Sequence, residues 1–500
     1  MRSKLLASVF CVGTFTLPLA AFAQTAAPAA TVNTGNFFER FYQAYMDDIH
    51  APDVAPDAGP ETKCLPPPFD SPPMPGGDYP YGGNPGMCQN GAAPNGPLMR
   101  ALAPTSTGKF LTDNRIAIYG WLDPSMNYSS SQGKNGNSPS AYAYDANTPL
   151  FNQATLYIDR LPDTTQTDHW DWGFRLTPIY GSDYRYTTMY GFDSNNYLNR
   201  NHQMGFDVPM AYVDVYDPNL GYGTNFRLGR YISLPDIEAQ LAPDNYFFSH
   251  SILYSFDPYT QVGLVATTKL DEKGQWIVQY GVSAGNDVTP WAGHNAAQPT
   301  ATFTLRYTTP DNNTNVYIAA NSINNGKFGY NNLQSYYFTL YHRFNDKWMT
   351  ATEAWYMYQN KTPATNGATA GSQLGLAMPF TSSSGTPYGY GSANGPYGAY
   401  CKTGIRCTSQ EEALLNYTIY QIDHRNFIGL RNEVVNDGSG QRTGFKTIYY
   451  ETTLGWNHDI SDDIQLRPEI GYYHAFNAKA FNNGTRKDMV MGAMDIIFHY

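Results

Sequence analysis

From Trp170 to Thr177 the chain reads WDWGFRLT, with Trp170, Trp172, Phe174 and Leu176 alternating with Asp171, Gly173, Arg175 and Thr177. Successive side chains on a strand point to opposite faces, so this stretch predicts a strand with one apolar and one polar face. The same period returns in TATFTLRYT, where Ala301, Phe303, Leu305 and Tyr307 alternate with Thr302, Thr304, Arg306 and Thr308. WIVQYGVSAG, TIYYETTLGW and LRPEIGYY follow it too. The last residues, MGAMDIIFHY, put Met494, Ile496, Phe498 and Tyr500 on one face and Ala493, Asp495, Ile497 and His499 on the other. Two stretches read either way. WMTATEAWYMY carries Glu353 on the face of Met349, Trp355 and Met357, and DYRYTTMYGF fits strand or loop. LDEKGQ and FNDKW are short turn signals, whereas Gln359 to Glu411 is a Gly/Ser/Thr/Asn-rich stretch long enough to be an external loop.

Alternation alone does not tell a strand on a dry core from one facing lipid. Composition changes the picture. Charged residues are 15% of the 500, against about 25% in ordinary soluble domains, and aromatics are also 15%, with 41 Tyr. Mean hydropathy is −0.46. Beyond the N-terminal leader no run of ~18 apolar residues offers a membrane helix. Strands of about ten residues match a tilted bilayer crossing, and aromatics recur near strand ends as interfacial girdles do. The closing aromatic strand has the form read by the outer-membrane assembly machinery. Together these predict an all-β fold, a transmembrane antiparallel β-barrel of about 16 strands (roughly 14 to 18). It would sit in the cell outer membrane, surrounded by lipid, with Tyr500 presented to the assembly machinery.

Three segments divide the chain. Residues 1–23 read as a secretory signal peptide: Arg2 and Lys4 precede an apolar run from Leu5 to Leu19 and an Ala21-Phe22-Ala23 cleavage site. Residues 24–112 form a Pro/Gly-rich extension. Within it Phe38, Phe41, Tyr42, Tyr45 and Ile49 recur at helical spacing and predict a short helix over Phe37 to Ile49. LPPPFDSPPMPGGDYPYGG cannot be regular structure, because proline fixes φ and removes donors. It is either an extended linker or a plug packed into the barrel mouth or rim. Residues 113–500 are the barrel. Net charge is −11, which disfavours nucleic acid as a partner.

An exported chain with Cys64, Cys88, Cys401 and Cys407 suggests disulfides, sequence proximity favouring Cys64–Cys88 and Cys401–Cys407. A metal site is the alternative, without His or Cys-x-x-Cys spacing to support it, so no metal and no cofactor is expected. GSGQRTG (Gly438 to Gly444) lacks the Lys-Ser/Thr pair of a phosphate loop, and no catalytic residue is assigned. At this strand number the interior should be open to water. Facing it by alternation are Asp159, Arg175, Asp214, Arg227, Arg306, Arg343, Arg431, Glu433, Glu451, Arg467, Glu469 and Asp495. Such charges either pair with their neighbours or set up a transverse field that selects solutes. SLPDIEAQLAPDNYFFSH, with Asp236, Glu238 and Asp244, is either an inward loop that narrows the pore or an ordinary outer loop.

IYGWLDPSMNYS at the first strand, FRLGRYIS and PDNYFFSHSILYSFDPYTQVGLVAT in the middle, FNDKWMTATEAWYMYQ, LRNEVVNDGSGQRTG and the closing FNNGTRKDMVMGAMDIIFHY carry a family resemblance. The chain resembles the outer-membrane β-barrel porins of the OmpL-like group. The resemblance implies passive outer-membrane transport and supplies no catalytic residues. The expected function is diffusion of small polar solutes through a water-filled barrel, not enzymatic. A homotrimer, the assembly of general porins, is compatible with it. The rivals are a plugged transporter for hydrophobic substrates, a structural or adhesive surface barrel, and an outer-membrane hydrolase.

Overall fold

The computed structural model describes residues 35–51, 87, 91, 95–192, 194, 202–232, 237–256, 259–293, 296–329, 331–364 and 399–500. The leader, the Pro-rich stretch, Cys64, Cys88 and Asp236 lie outside these residues, as does the side chain of Asp244. Sixteen antiparallel strands close into one barrel. They are β1 (Ala117–Ser129), β2 (Pro149–Arg160), β3 (Asp171–Gly181), β4 (Gly205–Asp217), β5 (Thr224–Ile232), β6 (Thr260–Lys269), β7 (Trp276–Asn286) and β8 (Thr300–Thr308). The second half continues with β9 (Thr314–Ile323), β10 (Gln334–Arg343), β11 (Trp348–Pro363), β12 (Arg406–Asp423), β13 (Asn426–Asp437), β14 (Thr447–Ser461), β15 (Ile464–Ala475) and β16 (Asp488–His499). Each strand pairs with its sequence neighbours, and β16 returns to β1 in the register Trp121↔His499 and Ser125↔Asp495. Beyond the last rung the Gly120 N–H donates to the Tyr500 carbonyl at 3.1 Å, and the Tyr500 N–H donates back at 2.8 Å. Closure leaves no sheet edge for lipid to strand.

The two ends of the barrel differ. Connections 218–223, 270–275, 309–313, 344–347, 424–425 and 462–463 are short and lie at one end. Connections 130–148, 182–204, 233–259 and 364–405 are long and lie at the other. DYRYTTMYGF belongs to the loops: it holds a 3₁₀ turn over Ser182–Tyr186. The stretch from Gln359 to Glu411 is less of a loop than its composition suggested. β11 runs on to Pro363 and β12 begins at Arg406, with Gln359 opposite Ser409 and Met357 opposite Glu411. Cys401 and Cys407 form a disulfide with Cα atoms 5.7 Å apart, tying the end of that loop to the start of β12.

The faces follow the alternation. Val213, Leu228, Ile318 and Leu454 point out and are about half exposed, as lipid-facing side chains are when no lipid surrounds them. Exposed Trp172, Trp276 and Trp348 sit at the short-turn ends of their strands, with exposed Phe344 in the turn beside Trp348, where an aromatic girdle meets the membrane interface. Glu353 points inward with Met349, Trp355 and Met357.

Three helices precede the barrel: α1 (Phe37–Ile49), α2 (Pro97–Leu102) and α3 (Ser106–Asp113). α1 starts in a capping box, Asn36 accepting from the N–H of Glu39 and the Glu39 carboxylate from the N–H of Asn36. Its apolar stripe is covered only in part, Phe41 and Tyr45 being half-buried. Phe38, Tyr42 and Ile49 are exposed, while Ala44 and Asp48 are buried. Polar contacts hold it in place. Asp48 accepts from the backbone N–H of Asp463 at 3.1 Å, Tyr45 donates to the His499 carbonyl, and Arg40 reaches the Ala101 carbonyl at 2.8 Å. Arg100 of α2 pairs with Asp463. α1 and α2 therefore sit on the short-turn rim, and Met87 lies buried against the inward Tyr216 and Ile277.

An arginine on the outer face tests these faces. Leu228→Arg, at the centre of β5, should lower the stability of the refolded barrel by about 2–4 kcal/mol in vesicle-based urea unfolding, because a charge at the bilayer midplane loses its water. Thr304→Ser, an inward position, should leave the midpoint close to that of the parent chain. Equal responses at both positions would refute the assignment.

Candidate functional site

The barrel interior is the candidate site. Of the twelve charged residues that alternation placed inward, eleven are buried and Arg343 is half-buried. The expectation of charges standing in open water is corrected here: side chains and loop segments pack over them. The pairs run along neighbouring strands. Arg175 donates to Asp159 at 2.8 Å, Arg227 to Asp214 at 2.9 Å and Arg230 to Asp207 at 2.8 Å. Arg431 pairs with Glu451 at 2.6 Å, and Arg467 donates to Asp495 at 3.0 Å. Burying a charge without a partner is far more costly than burying a hydrogen-bonded pair, so strands that turn charges into a packed interior turn them in as pairs.

The packing comes from the segment of residues 237–256, which folds into the barrel. Its backbone is held by inward carboxylates. The Ile237 N–H donates to Glu353 at 3.0 Å, and the Ser249 N–H donates to Glu469 at 3.2 Å. The N–H groups of Ile252 and Leu253 both donate to Glu433, at 2.6 and 3.0 Å. Arginines hold its carbonyls: Arg431 donates to Ser249 at 2.5 Å, and Arg467 to Ala242 and Asn245 at 2.7 and 2.8 Å. On the far side the Ala242 N–H donates to Gln153 of β2 at 3.1 Å. An irregular segment has no ladder to satisfy its backbone, and the wall supplies the missing partners.

Sequence reasoning missed several residues of this seat. Phe247 lies over Gly429 and Gly455, which face each other across β13 and β14, and a Cβ at either would strike its ring. A glycine inside a strand often marks such a close approach, and that was the available signal. Tyr417 donates to Glu238 at 2.5 Å, and Glu238 also accepts from the Ser251 N–H at 3.0 Å and lies 3.3 Å from Arg431. Burial raises the pKa of Glu238, with Arg431 pulling the other way. Asp244 falls in a 3₁₀ turn, Ala242–Asp244.

A second layer comes from the first outer loop. The Tyr142 ring stacks on Tyr186 at 4.4 Å and on His250 at 3.7 Å, and its hydroxyl donates to the Gln240 carbonyl at 2.9 Å. His250 donates through Nε2 to the Ala239 carbonyl at 2.8 Å, and burial pulls its pKa well below the usual value. Ser249 accepts at Oγ from Arg431. Ser249 and His250 are thus each engaged by a different structural partner. Asp287, at the loop end of β7, accepts from the Thr260 N–H at 2.8 Å, and burial raises it to about 7. Among the described residues no group of three His, Cys, Asp or Glu side chains is placed to hold a metal ion.

Charge is divided around the wall. β2 to β10 turn inward Arg175, Arg227, Arg230, Lys269, Arg306 and Arg343, against Asp159, Asp171, Asp207 and Asp214. From β11 round to β1 the balance reverses: Glu353, Glu411, Glu433, Asp437, Glu451, Glu469, Asp495 and Asp123 face Arg431 and Arg467.

The family described as "Putative beta-barrel porin-2, OmpL-like" matches residues 115–500. The chain belongs to the OmpL-like β-barrel porin family. The match takes in every strand of the barrel and stops short of the three helices. No curated protein matches the chain. Among solved structures it is similar to an anion-selective porin from Comamonas acidovorans, at 9% identity and TM-score 0.46, covering 77% of this chain and 99% of that one. It is also similar to the outer membrane channel DcaP of Acinetobacter baumannii, at 12% identity and TM-score 0.45, covering 77% and 97%. A third is OmpT, an outer membrane protein of Vibrio cholerae in a trimer form, at 10% identity and TM-score 0.43, covering 77% and 99%.

In this porin-family barrel Arg431 joins β13, β14 and the inward segment. Arg431→Met should destabilise the folded protein by about 3–5 kcal/mol, because it leaves buried carboxylates without a partner. Amide hydrogen exchange at Ser249, Ile252 and Leu253 should quicken more than that of the outer-face strands. Unchanged exchange there would show that the segment does not depend on this guanidinium.

Proposed function

We propose that the chain is an outer-membrane porin through which small polar solutes diffuse passively, and not an enzyme. One observation carries this reading: a closed barrel with an apolar exterior holds an interior of opposed acidic and basic walls, narrowed by a segment bonded across it. An apolar exterior suits lipid, and a charged interior suits the passage of polar solutes. Family membership supports it. The protein then resides in the outer membrane with its short turns toward the periplasm, and three copies associating through outer faces would match the assembly of general porins. The transverse arrangement of charge orients dipolar solutes and favours polar over apolar ones.

A second reading has its own support. Met87 is buried inside the short-turn mouth, and the helices before β1 are fixed to the rim through Asp463 and His499. On that reading residues 24–112 plug the barrel. Planar-bilayer recording separates the two. A porin gives steady open steps from the full-length protein, and removing residues 24–112 changes their size only modestly. A plugged barrel stays silent at full length and conducts when those residues are removed. Silence in both forms would overturn transport and leave a structural or adhesive barrel.

A further inference from the structure

We infer that copies of this chain associate in the membrane through one face, the outer wall of β11 to β14, along a row of amide and hydroxyl side chains. The inference rests on the porin reading, which puts that wall in lipid, and it names the partner of the face as the same face of a second copy.

The row is read from the register. Thr352, Asn416, Asn432 and Thr452 lie opposite one another across β11, β12, β13 and β14, and Thr350 opposite Thr418 widens the row on its first two strands. All six are half-buried. They share the outer face with exposed Leu414, Leu430, Val434 and Leu454, while Glu353, Tyr417, Arg431 and Thr453 beside them are buried inward. The row stops at Leu340 of β10, opposite Thr352, and at Tyr472 of β15, opposite Thr452. Elsewhere the outer wall carries Leu122, Leu176, Val213, Val282, Phe303 and Phe338, all apolar and exposed. The row is also deep. Trp348, Tyr420, Ile428 and Trp456 form the row four residues nearer the short turns, and Tyr356, Glu412, Asn436 and Ile448 the row four residues nearer the long loops. At ~3.3 Å per residue each lies about 13 Å along the strand from the polar row, which on tilted strands falls near the middle of an apolar band about 25 Å tall.

Hydrocarbon offers such groups no partner. Asn416 is served within its own wall: its amide donates to the hydroxyls of Thr350 and Thr352 at 2.8 Å each, and its side-chain oxygen accepts from Thr418 at 3.1 Å. Asn432 and Thr452 are not. Among the described residues neither side chain has a hydrogen-bond partner. At that depth a second protein wall is the source of donors and acceptors, as it is between membrane helices. A carboxamide carries both, so the amides of two copies satisfy each other. A symmetry axis through the face brings the same row of each copy together, which is the arrangement a self-complementary patch fits.

Cross-linking and mass, measured on the full-length protein, test this. In a Cys64→Ser/Cys88→Ser background, with Cys401 and Cys407 paired to each other, Leu430→Cys should give disulfide-linked dimers when oxidised in vesicles. Val213→Cys, on the opposite wall, should stay single. In mild detergent, light scattering should give a mass of two or more chains for the parent and of one chain for Asn432→Leu/Thr452→Val, with heat-modifiable migration kept by both. A parent that conducts in a planar bilayer yet has the mass of one chain would overturn the inference and leave the porin reading standing. So would dimers at Val213→Cys without dimers at Leu430→Cys, or a mass that the double variant leaves unchanged. A cross-link in cells from Leu430→Cys to a different protein, with none between copies, would overturn it in favour of another partner. A parent that neither inserts nor conducts overturns both readings. The two cysteine positions decide the matter alone where the double variant fails to fold.

Discussion

Everything in this molecule depends on backbone hydrogen bonds having nowhere to go but the neighbouring strand. Inside a bilayer there is no water to satisfy an exposed N–H or C=O, and each one left over costs several kcal/mol. A chain without a long apolar helix meets that demand only by closing a sheet on itself. The rungs between β1 and β16, extended by Gly120 and Tyr500, remove the last two edges. Once the ring is closed, alternation has a meaning that it lacks in an open sheet: every second residue belongs to lipid and every other one to the interior.

The interior then poses the opposite problem. A wall of sixteen strands encloses more space than its own side chains fill, and this chain fills part of it with an irregular segment. Such a segment brings unsatisfied N–H and C=O groups into a low-dielectric space. Carboxylates at Glu353, Glu433 and Glu469 accept the N–H groups, and Arg431 and Arg467 donate to the carbonyls. The acid–base spacing on β13 and β15 that reads as a channel feature is also scaffolding. These side chains can do this because a hydrogen bond to a charged group is strong enough to order a loop.

Glycine shows how far local sequence reaches. Gly429 and Gly455 sit in strands that read as ordinary lipid-spanning β, where glycine is a weakness. Only the approach of Phe247 from a segment more than 180 residues away in sequence explains them. α1 makes the converse point. Its helical spacing and Asn36/Glu39 cap are local and readable, yet the face that docks is chosen by Asp463 and His499 at the other end of the chain.

The sequence by itself determined the fold class, the alternation of faces, the inward position of the twelve charged residues and the family, because each is encoded within one strand or its ends. A period of two is a property of about ten neighbouring residues and needs no partner to be read. Tertiary structure alone decided which carboxylates hold the inward segment, which are opposed by arginines across a rung, and how the basic and acidic halves divide around the wall. Those outcomes follow from strand order in a closed ring and from the path of one loop through it. The loop's path is set by contacts 116 to 220 residues apart in sequence, which no local pattern records.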